Sequence, residues 1–98
     1  MKPAVLWTDA ATEQLDGILL HFARVSPVYA TRLLDRILTQ TERLEDFPQL
    51  GSRSRRDQAR DVRELIEGEY IIFYLPQATR IDILAIVSSR RDLPPPQP

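Results

Sequence analysis

The sequence predicts an α+β domain: an N-terminal strand, an antiparallel helical hairpin and then a three-stranded antiparallel meander. Three observations predict this architecture. The 98 residues suit one domain. Apolar residues recur at helical spacing between residues 11 and 44, whereas the runs after residue 62 are β-branched and aromatic and are separated by short turns.

The N-terminal quarter predicts a short strand over residues 4–7 and then a helix. Thr8 or Asp9 suits the helix N-cap, because its side-chain oxygen accepts a hydrogen bond from a free backbone amide. Gly17 weakens this helix by about 1 kcal/mol relative to alanine. The apolar positions at helical spacing are Ala11, Leu15, Ile18, Leu19 and Phe22.

A second helix begins at Ser26-Pro27, where serine suits the N-cap and proline the first helical position. Phe47-Pro48 ends it, because the residue before proline avoids the helical region. The short link at Val25-Ser26 predicts that the two helices are antiparallel. The apolar stripe of the second helix comprises Ala30, Leu33, Leu34, Ile37, Leu38, Thr41 and Leu44.

Residues 51–61 have almost no apolar side chains and predict a loop. Three strands then follow at residues 62–66, 70–75 and 81–87, joined by a glycine-containing turn and a proline-containing turn. Strands joined by tight hairpins must be antiparallel. The amphipathic helices need an apolar surface, and one face of this sheet provides it.

Both faces of the predicted sheet are apolar, because side chains alternate between the faces along a strand. Two helices cover one face, so the second apolar face predicts a binding partner. We expect the partner to contact one set of alternating side chains. That set is Tyr70, Ile72, Tyr74, Leu84 and Ile86.

Composition excludes several kinds of site. Without cysteine there are no disulfides and no thiolate zinc sites, and a single histidine, His21, excludes a two-histidine metal site. We therefore expect no metal and no cofactor. The net charge of −1 argues against a nucleic-acid coat protein. No signal peptide or membrane span is recognisable, which predicts a cytoplasmic protein.

Residues 1–92 are expected to form a single domain, and residues 93–98 a separate tail. The tail contains four prolines, which neither pair in a sheet nor continue a helix. We expect it to be an extended, disordered end.

The order and spacing of several motifs resemble those of the ParE/RelE superfamily, the toxins of bacterial toxin–antitoxin modules. The resemblance spans residues 5–92 and implies the α+β fold above. The motifs are Trp7-Thr8-Asp9-Ala10-Ala11, Ser26-Pro27, Leu44-Glu45-Asp46-Phe47-Pro48-Gln49-Leu50-Gly51, Val62-Arg63-Glu64-Leu65, Tyr70-Ile71-Ile72-Phe73-Tyr74, Ile81-Asp82-Ile83-Leu84-Ala85-Ile86-Val87 and Arg90-Arg91-Asp92.

The resemblance implies one of two activities. The RelE branch cleaves messenger RNA on the ribosome, and Arg63 and Arg90 match its phosphate-binding residues. The ParE branch inhibits DNA gyrase without hydrolysis. RNA cleavage also needs a proton-transfer group, whereas Ser88 and the residues around Arg90 do not titrate near neutral pH. We therefore favour the ParE branch with no catalytic residue, and the ribonuclease and a non-toxic co-repressor are the alternatives.

The resemblance also implies a cognate antitoxin that wraps the toxin in a hetero-oligomer, and the apolar partner-facing set above is its predicted contact. Arg63 has a structural interpretation too, as the partner of a cross-strand acid, Glu69 or Asp82. The arginine-rich loop and the end of the last strand form the candidate surface for gyrase, its DNA or the antitoxin. The residues are Arg53, Arg55, Arg56, Arg60, Arg90 and Arg91.

Overall fold

The computed structural model describes residues 2–57 and 59–89. The predictions for Arg90, Arg91 and the proline-rich tail lie outside these residues. Two helices, α1 and α2, and five strands, β1 to β5, form the fold. In chain order these are β1 (Ala4–Trp7), α1 (Asp9–Ala23), α2 (Pro27–Glu42), a 3-10 turn (Arg43–Glu45), β2 (Ser52–Arg53), β3 (Arg63–Glu67), β4 (Tyr70–Pro76) and β5 (Arg80–Ser88).

The strands form one sheet in the order β1-β5-β4-β3-β2, so the predicted α+β class and the antiparallel meander β3-β4-β5 are confirmed. The first strand joins the meander at β5 and runs parallel to it. The short strand β2 has no counterpart among the predicted strands, and it pairs with the start of β3. This strand has no apolar signal, because its two residues, Ser52 and Arg53, are polar and exposed at the sheet edge.

Both predicted helix caps are present. The Thr8 hydroxyl accepts a hydrogen bond from the Ala11 N–H at 3.2 Å and also donates to the Ile83 carbonyl at 2.9 Å, so the cap ties α1 to β5. The Ser26 hydroxyl accepts from the Tyr29 N–H at 3.2 Å. The second helix ends before the predicted Phe47-Pro48 exit, because its last turn tightens into the 3-10 form.

The two helices pack on one face of the sheet, and the core lies between the layers. Its residues include Leu33 and Ile37 from α2 and Ile72, Tyr74, Ile81 and Ile83 from the sheet, each at most 1 % exposed. At the edge of this layer, the Arg36 guanidinium lies 3.3 Å from the Glu67 carboxylate and links α2 to β3.

The structure corrects the predicted partner-facing set. Tyr70, Ile72, Tyr74 and Ile86 are buried under the helices and belong to the core. The period-two pattern identified two apolar faces correctly, but it contains no information about which face the helices cover.

A bulge in β5 separates Leu84 from the rest of that set. Phe73 pairs with Ala85 while Tyr74 pairs with Ile83, so Leu84 is the extra residue. Because of this shift, Ile83 and Ile86 both face the helices although they are three residues apart. Beside the bulge, the Gln14 side-chain oxygen accepts a hydrogen bond from the Ile86 N–H at 2.9 Å.

Among the described residues, neither helix is sufficiently long and apolar to cross a membrane.

Candidate functional site

The face of the sheet opposite the helices carries apolar side chains on four strands, interrupted by the carboxylates of Glu64 and Asp82, and we call these apolar side chains the open face. Ile66, Ile71 and Val87 form one row across three strands. Ile66 is 56 % exposed, and Leu6 on β1 is 49 % exposed. An apolar surface of this kind on a small domain marks a site for a partner. The open face consists of Leu6, Ile66, Ile71, Phe73, Leu75, Leu84, Ala85 and Val87.

The open face borders residues 53–60, which we call the arginine loop. The Arg56 guanidinium lies 5.5 Å from the centre of the Phe73 ring, a cation–π contact that joins the loop to the open face. Two further arginines form exposed ion pairs, Arg53 with Asp61 at 3.2 Å and Arg60 with Asp57 at 2.6 Å. The Arg60 guanidinium holds the pKa of the Asp57 carboxyl below its ordinary value.

Three hydrogen bonds made by Ser54 hold the arginine loop. The Ser54 hydroxyl donates to the Glu64 carboxylate at 2.8 Å and accepts from the Arg56 N–H at 3.1 Å. The Ser54 N–H donates to the Val62 carbonyl at 2.8 Å. Ser54 is buried although it lies among arginines, so it anchors the loop to β3. Four of the six candidate target-binding arginines thus lie on one supported loop beside the open face.

Arg63 has a structural role with partners that differ from the predicted ones. Its guanidinium donates to the Gly51 carbonyl at 2.9 Å and lies 3.4 Å from the Asp61 carboxylate. The register explains why Glu69 and Asp82 are not its partners. Arg63 is opposite Tyr74, whereas Glu69 lies in the turn at the far end of β4. Asp82 is bound by Arg80 at 3.1 Å and by Gln77 at 2.6 Å.

The structure does not bring Arg63 and the single histidine together. The Arg63 side chain is only 15 % exposed and faces the turn at residues 49–51. His21 is exposed on α1, beside Tyr70 at the opposite end of β4. In this arrangement Arg63 holds a turn, and His21 is too remote to exchange a proton with a group bound at Arg63.

Tyr74 fastens the same turn from inside the core. Its hydroxyl accepts a hydrogen bond from the Gly51 N–H at 2.8 Å. Burial raises the pKa of the Tyr74 hydroxyl above its ordinary value, and the Gly51 N–H partly opposes that shift. Tyr74 is predicted from the sequence to lie on a partner surface, whereas it is buried in the core and its hydroxyl holds the turn at the buried Gly51.

We expect Tyr74→Phe to cost about 1–3 kcal/mol at pH 7, because it leaves the buried Gly51 N–H without an acceptor. The raised pKa makes the native protein favour neutral Tyr74. Its contribution to stability is therefore complete below about pH 10, the ordinary tyrosine pKa, and is lost as the pH rises further. Urea unfolding from pH 7 to 11 checks both effects.

The control for that experiment is Tyr29→Phe, since Tyr29 is 39 % exposed. We expect it to change stability by less than about 0.5 kcal/mol. Equal stability of Tyr74→Phe and the parent at pH 7 would contradict the role of the hydroxyl in holding the turn.

Comparisons with known proteins agree with this architecture. Residues 5–93 match the family model described as ParE toxin of type II toxin-antitoxin system, parDE. A solved structure titled "Chromosomal ParDE TA system from P. aeruginosa" is similar in fold, with a TM-score of 0.72. The two chains are 23 % identical, and the similarity covers 89 % of this chain and 96 % of that one. No curated protein matches this sequence.

Proposed function

Because the chain belongs to the ParE toxin family of type II toxin–antitoxin systems, we propose that it inhibits DNA gyrase and that a cognate antitoxin neutralises it. Family membership implies a toxin with an antitoxin partner, and the proposal adds the target. The observation that carries it is the engagement of Arg63 with Gly51 and Asp61. This arginine supports a turn, so the described residues favour inhibition by binding over cleavage of RNA.

The arginine loop is the proposed contact with the gyrase–DNA complex. Arginine binds phosphate and carboxylate oxygens through two parallel hydrogen bonds. The Arg53 and Arg60 side chains are 63 % and 56 % exposed. Their ion pairs with aspartates are exposed and therefore weak. An anionic target can replace the aspartates as partners of these arginines at little cost in free energy.

An assay with purified components tests the proposed target. The toxin, gyrase and supercoiled DNA are incubated, and the protein–DNA adduct is trapped with detergent. We expect DNA breaks that carry covalently attached gyrase. Cleavage of ribosome-bound messenger RNA, with no gyrase adduct, would support the ribonuclease instead. Harmless expression of the folded protein without antitoxin, and neither reaction in vitro, would support the non-toxic co-repressor.

We expect Arg53→Gln combined with Arg60→Gln to weaken gyrase inhibition by about tenfold, because the target contact loses two exposed cations. Stability should hardly change, since exposed ion pairs contribute little. The concentration for half-maximal inhibition and the melting temperature measure the two effects.

The matched control is Arg24→Gln combined with Arg32→Gln, which removes two exposed arginines from the helical hairpin. Inhibition by this variant should equal that of the parent. A similar loss in both variants would assign the effect to net charge and contradict a specific role of the loop.

The antitoxin is proposed to cover the open face. The open face takes the place of the partner-facing set predicted from the sequence. Within that set, Leu84 is the one residue that is not buried. An amphipathic segment with apolar side chains toward the sheet matches the row Ile66-Ile71-Val87. Acidic residues at its margin would meet the arginine loop. This arrangement lets one antitoxin segment block the proposed gyrase contact.

A further inference from the structure

An exposed apolar segment lies between the 3-10 turn and β2. We call it the apolar turn, and it consists of Phe47, Pro48, Gln49 and Leu50. Phe47 is 60 % exposed and Leu50 is 38 % exposed, and neither belongs to the hydrophobic core. The four residues line an open hollow of about 490 Å³. The two apolar side chains therefore contribute little to the fold and are accessible to a partner.

Hydrogen bonds hold the backbone of the apolar turn in one shape. The Leu50 N–H donates to the Phe47 carbonyl at 3.0 Å. The next residue, Gly51, is fixed from the sheet, because its N–H donates to the Tyr74 hydroxyl at 2.8 Å and its carbonyl accepts from Arg63 at 2.9 Å. A segment that is already ordered loses less conformational entropy when it binds. An exposed aromatic side chain on such a segment suits the centre of an interface, where aromatic residues are enriched.

The apolar turn and the arginine loop are linked to each other. Arg53 is opposite Arg63 in the pairing of β2 with β3, so their side chains lie on the same face of the sheet. The Asp61 carboxylate joins the two, at 3.2 Å from the Arg53 guanidinium and 3.4 Å from that of Arg63. Leu50 and Arg53 are three residues apart, a distance of at most about 11 Å. One partner surface therefore reaches the apolar turn and Arg53 together.

Exposed guanidiniums lie on both sides of the apolar turn. Arg43 precedes it, and the Phe47 N–H donates to the Arg43 carbonyl at 2.9 Å. Arg53 follows it, with a side chain that is 63 % exposed. Asp46, the carboxylate directly before Phe47, is paired with Lys2 at 3.0 Å. A partner that covers Phe47 would thus meet arginines at its margin, and arginines bind carboxylate and phosphate oxygens.

We propose that the apolar turn anchors the toxin on a target protein, with Phe47 and Leu50 in an apolar pocket of the target and Arg43 and Arg53 against carboxylates at its rim. This inference rests on the proposed inhibition of gyrase and assigns the apolar turn to the protein part of the gyrase–DNA complex. The apolar side chains favour a protein over DNA. Phosphates, which dominate the contact with duplex DNA, would bind the arginines but leave Phe47 and Leu50 without an apolar contact.

Binding of the full chain to purified gyrase, without DNA, tests the anchor. We expect Phe47→Ala combined with Leu50→Ala to weaken binding by about 30-fold, as for central residues of an interface. This loss should persist as salt rises from about 0.05 M to 0.5 M, because salt does not screen apolar contacts, whereas the loss caused by Arg53→Gln combined with Arg60→Gln should shrink. The melting temperature should hardly change, since both apolar side chains are exposed.

Two variants make the test specific. Leu20→Ala combined with Val28→Ala removes two apolar side chains of the helical hairpin that are 65 % and 61 % exposed, and it should bind gyrase as the parent does. Phe47→Met keeps an apolar side chain of similar volume and should lose less than about fivefold. Equal losses in the Phe47 and Leu20 double variants would assign the effect to surface hydrophobicity and contradict an anchor at the apolar turn.

The remaining outcomes separate this inference from the proposed function. If the parent traps the gyrase–DNA adduct and the variant with alanine at positions 47 and 50 binds and inhibits equally well, the anchor is wrong and gyrase remains the target. If the parent neither binds gyrase nor traps the adduct, the proposed target is wrong and the anchor falls with it. Unchanged affinity for gyrase with reduced affinity for duplex DNA, or for the antitoxin, would assign the apolar turn to that partner and overturn the inference.

Discussion

Replacing Ile66 by aspartate should weaken antitoxin binding by on the order of 100-fold, because truncating or charging a central residue of an interface costs about 2 kcal/mol or more of binding free energy. Ile66 is 56 % exposed and begins the apolar row of the open face. A carboxylate in that row must lose its water when a partner covers it. The fold should survive, since Ile66 contributes little to the core. Titration calorimetry with the antitoxin and a thermal melt measure the two effects.

Leu20→Asp is the matched control for this experiment. Leu20 is an aliphatic residue with 65 % exposure on α1, so the chemical change is similar. We expect its antitoxin affinity to stay within about threefold of the parent, as for a residue outside the interface. If Ile66→Asp binds normally and Leu20→Asp does not, the antitoxin covers the helices and the proposed face is wrong.

Replacing Gly51 by alanine should destabilise the protein by about 3 kcal/mol, near the upper end for overpacking. Gly51 is buried, and an added Cβ would lie 2.5 Å from the Glu64 carbonyl oxygen and 2.9 Å from Tyr74 Cε1. The first of these atoms is backbone within β3 and moves only with the strand. The same shift would stretch the hydrogen bond that the Gly51 N–H donates to the Tyr74 hydroxyl and the one that the Gly51 carbonyl accepts from Arg63. Urea unfolding at pH 7 measures the loss.

Gly17→Ala is the control, and its effect should have the opposite sign. An added Cβ at Gly17 meets nothing within 4 Å. Alanine also has a higher helix propensity, so we expect a gain of about 0.5–1 kcal/mol. A destabilised Gly17→Ala would show that glycine is needed there for another reason. An unchanged Gly51→Ala would mean that the turn relaxes away from β3.

Local sequence rules predicted the helices and the meander because the deciding signals are local. Thr8 and Ser26 each satisfy a free amide within the next three residues. The helices and hairpin strands likewise follow from apolar spacing and turn residues. The short β2 carries no such signal, since it pairs with residues of β3 that lie ten to twelve positions further along the chain.

The candidate site was only partly predictable. The arginine loop was recognised from its composition, and the structure supplies the buried Ser54 that anchors it. The period-two pattern predicts an apolar partner surface on one of two faces, and four of the five residues of the predicted set, all except Leu84, are buried against the helices. Alternation fixes which side chains share a face, whereas the helix-covered face depends on how the hairpin crosses the sheet.

The sequence by itself determined the class of the fold, the two helix starts, the antiparallel meander and the family. Only the tertiary structure decided the partners of Arg63, the separation of Leu84 from Ile86 and the location of the open face. The physical reason is the separation along the chain over which each interaction acts. Caps, turns and hydrophobic periodicity act over a few residues, while strand register, a bulge and the packing of one layer on another depend on contacts between distant segments.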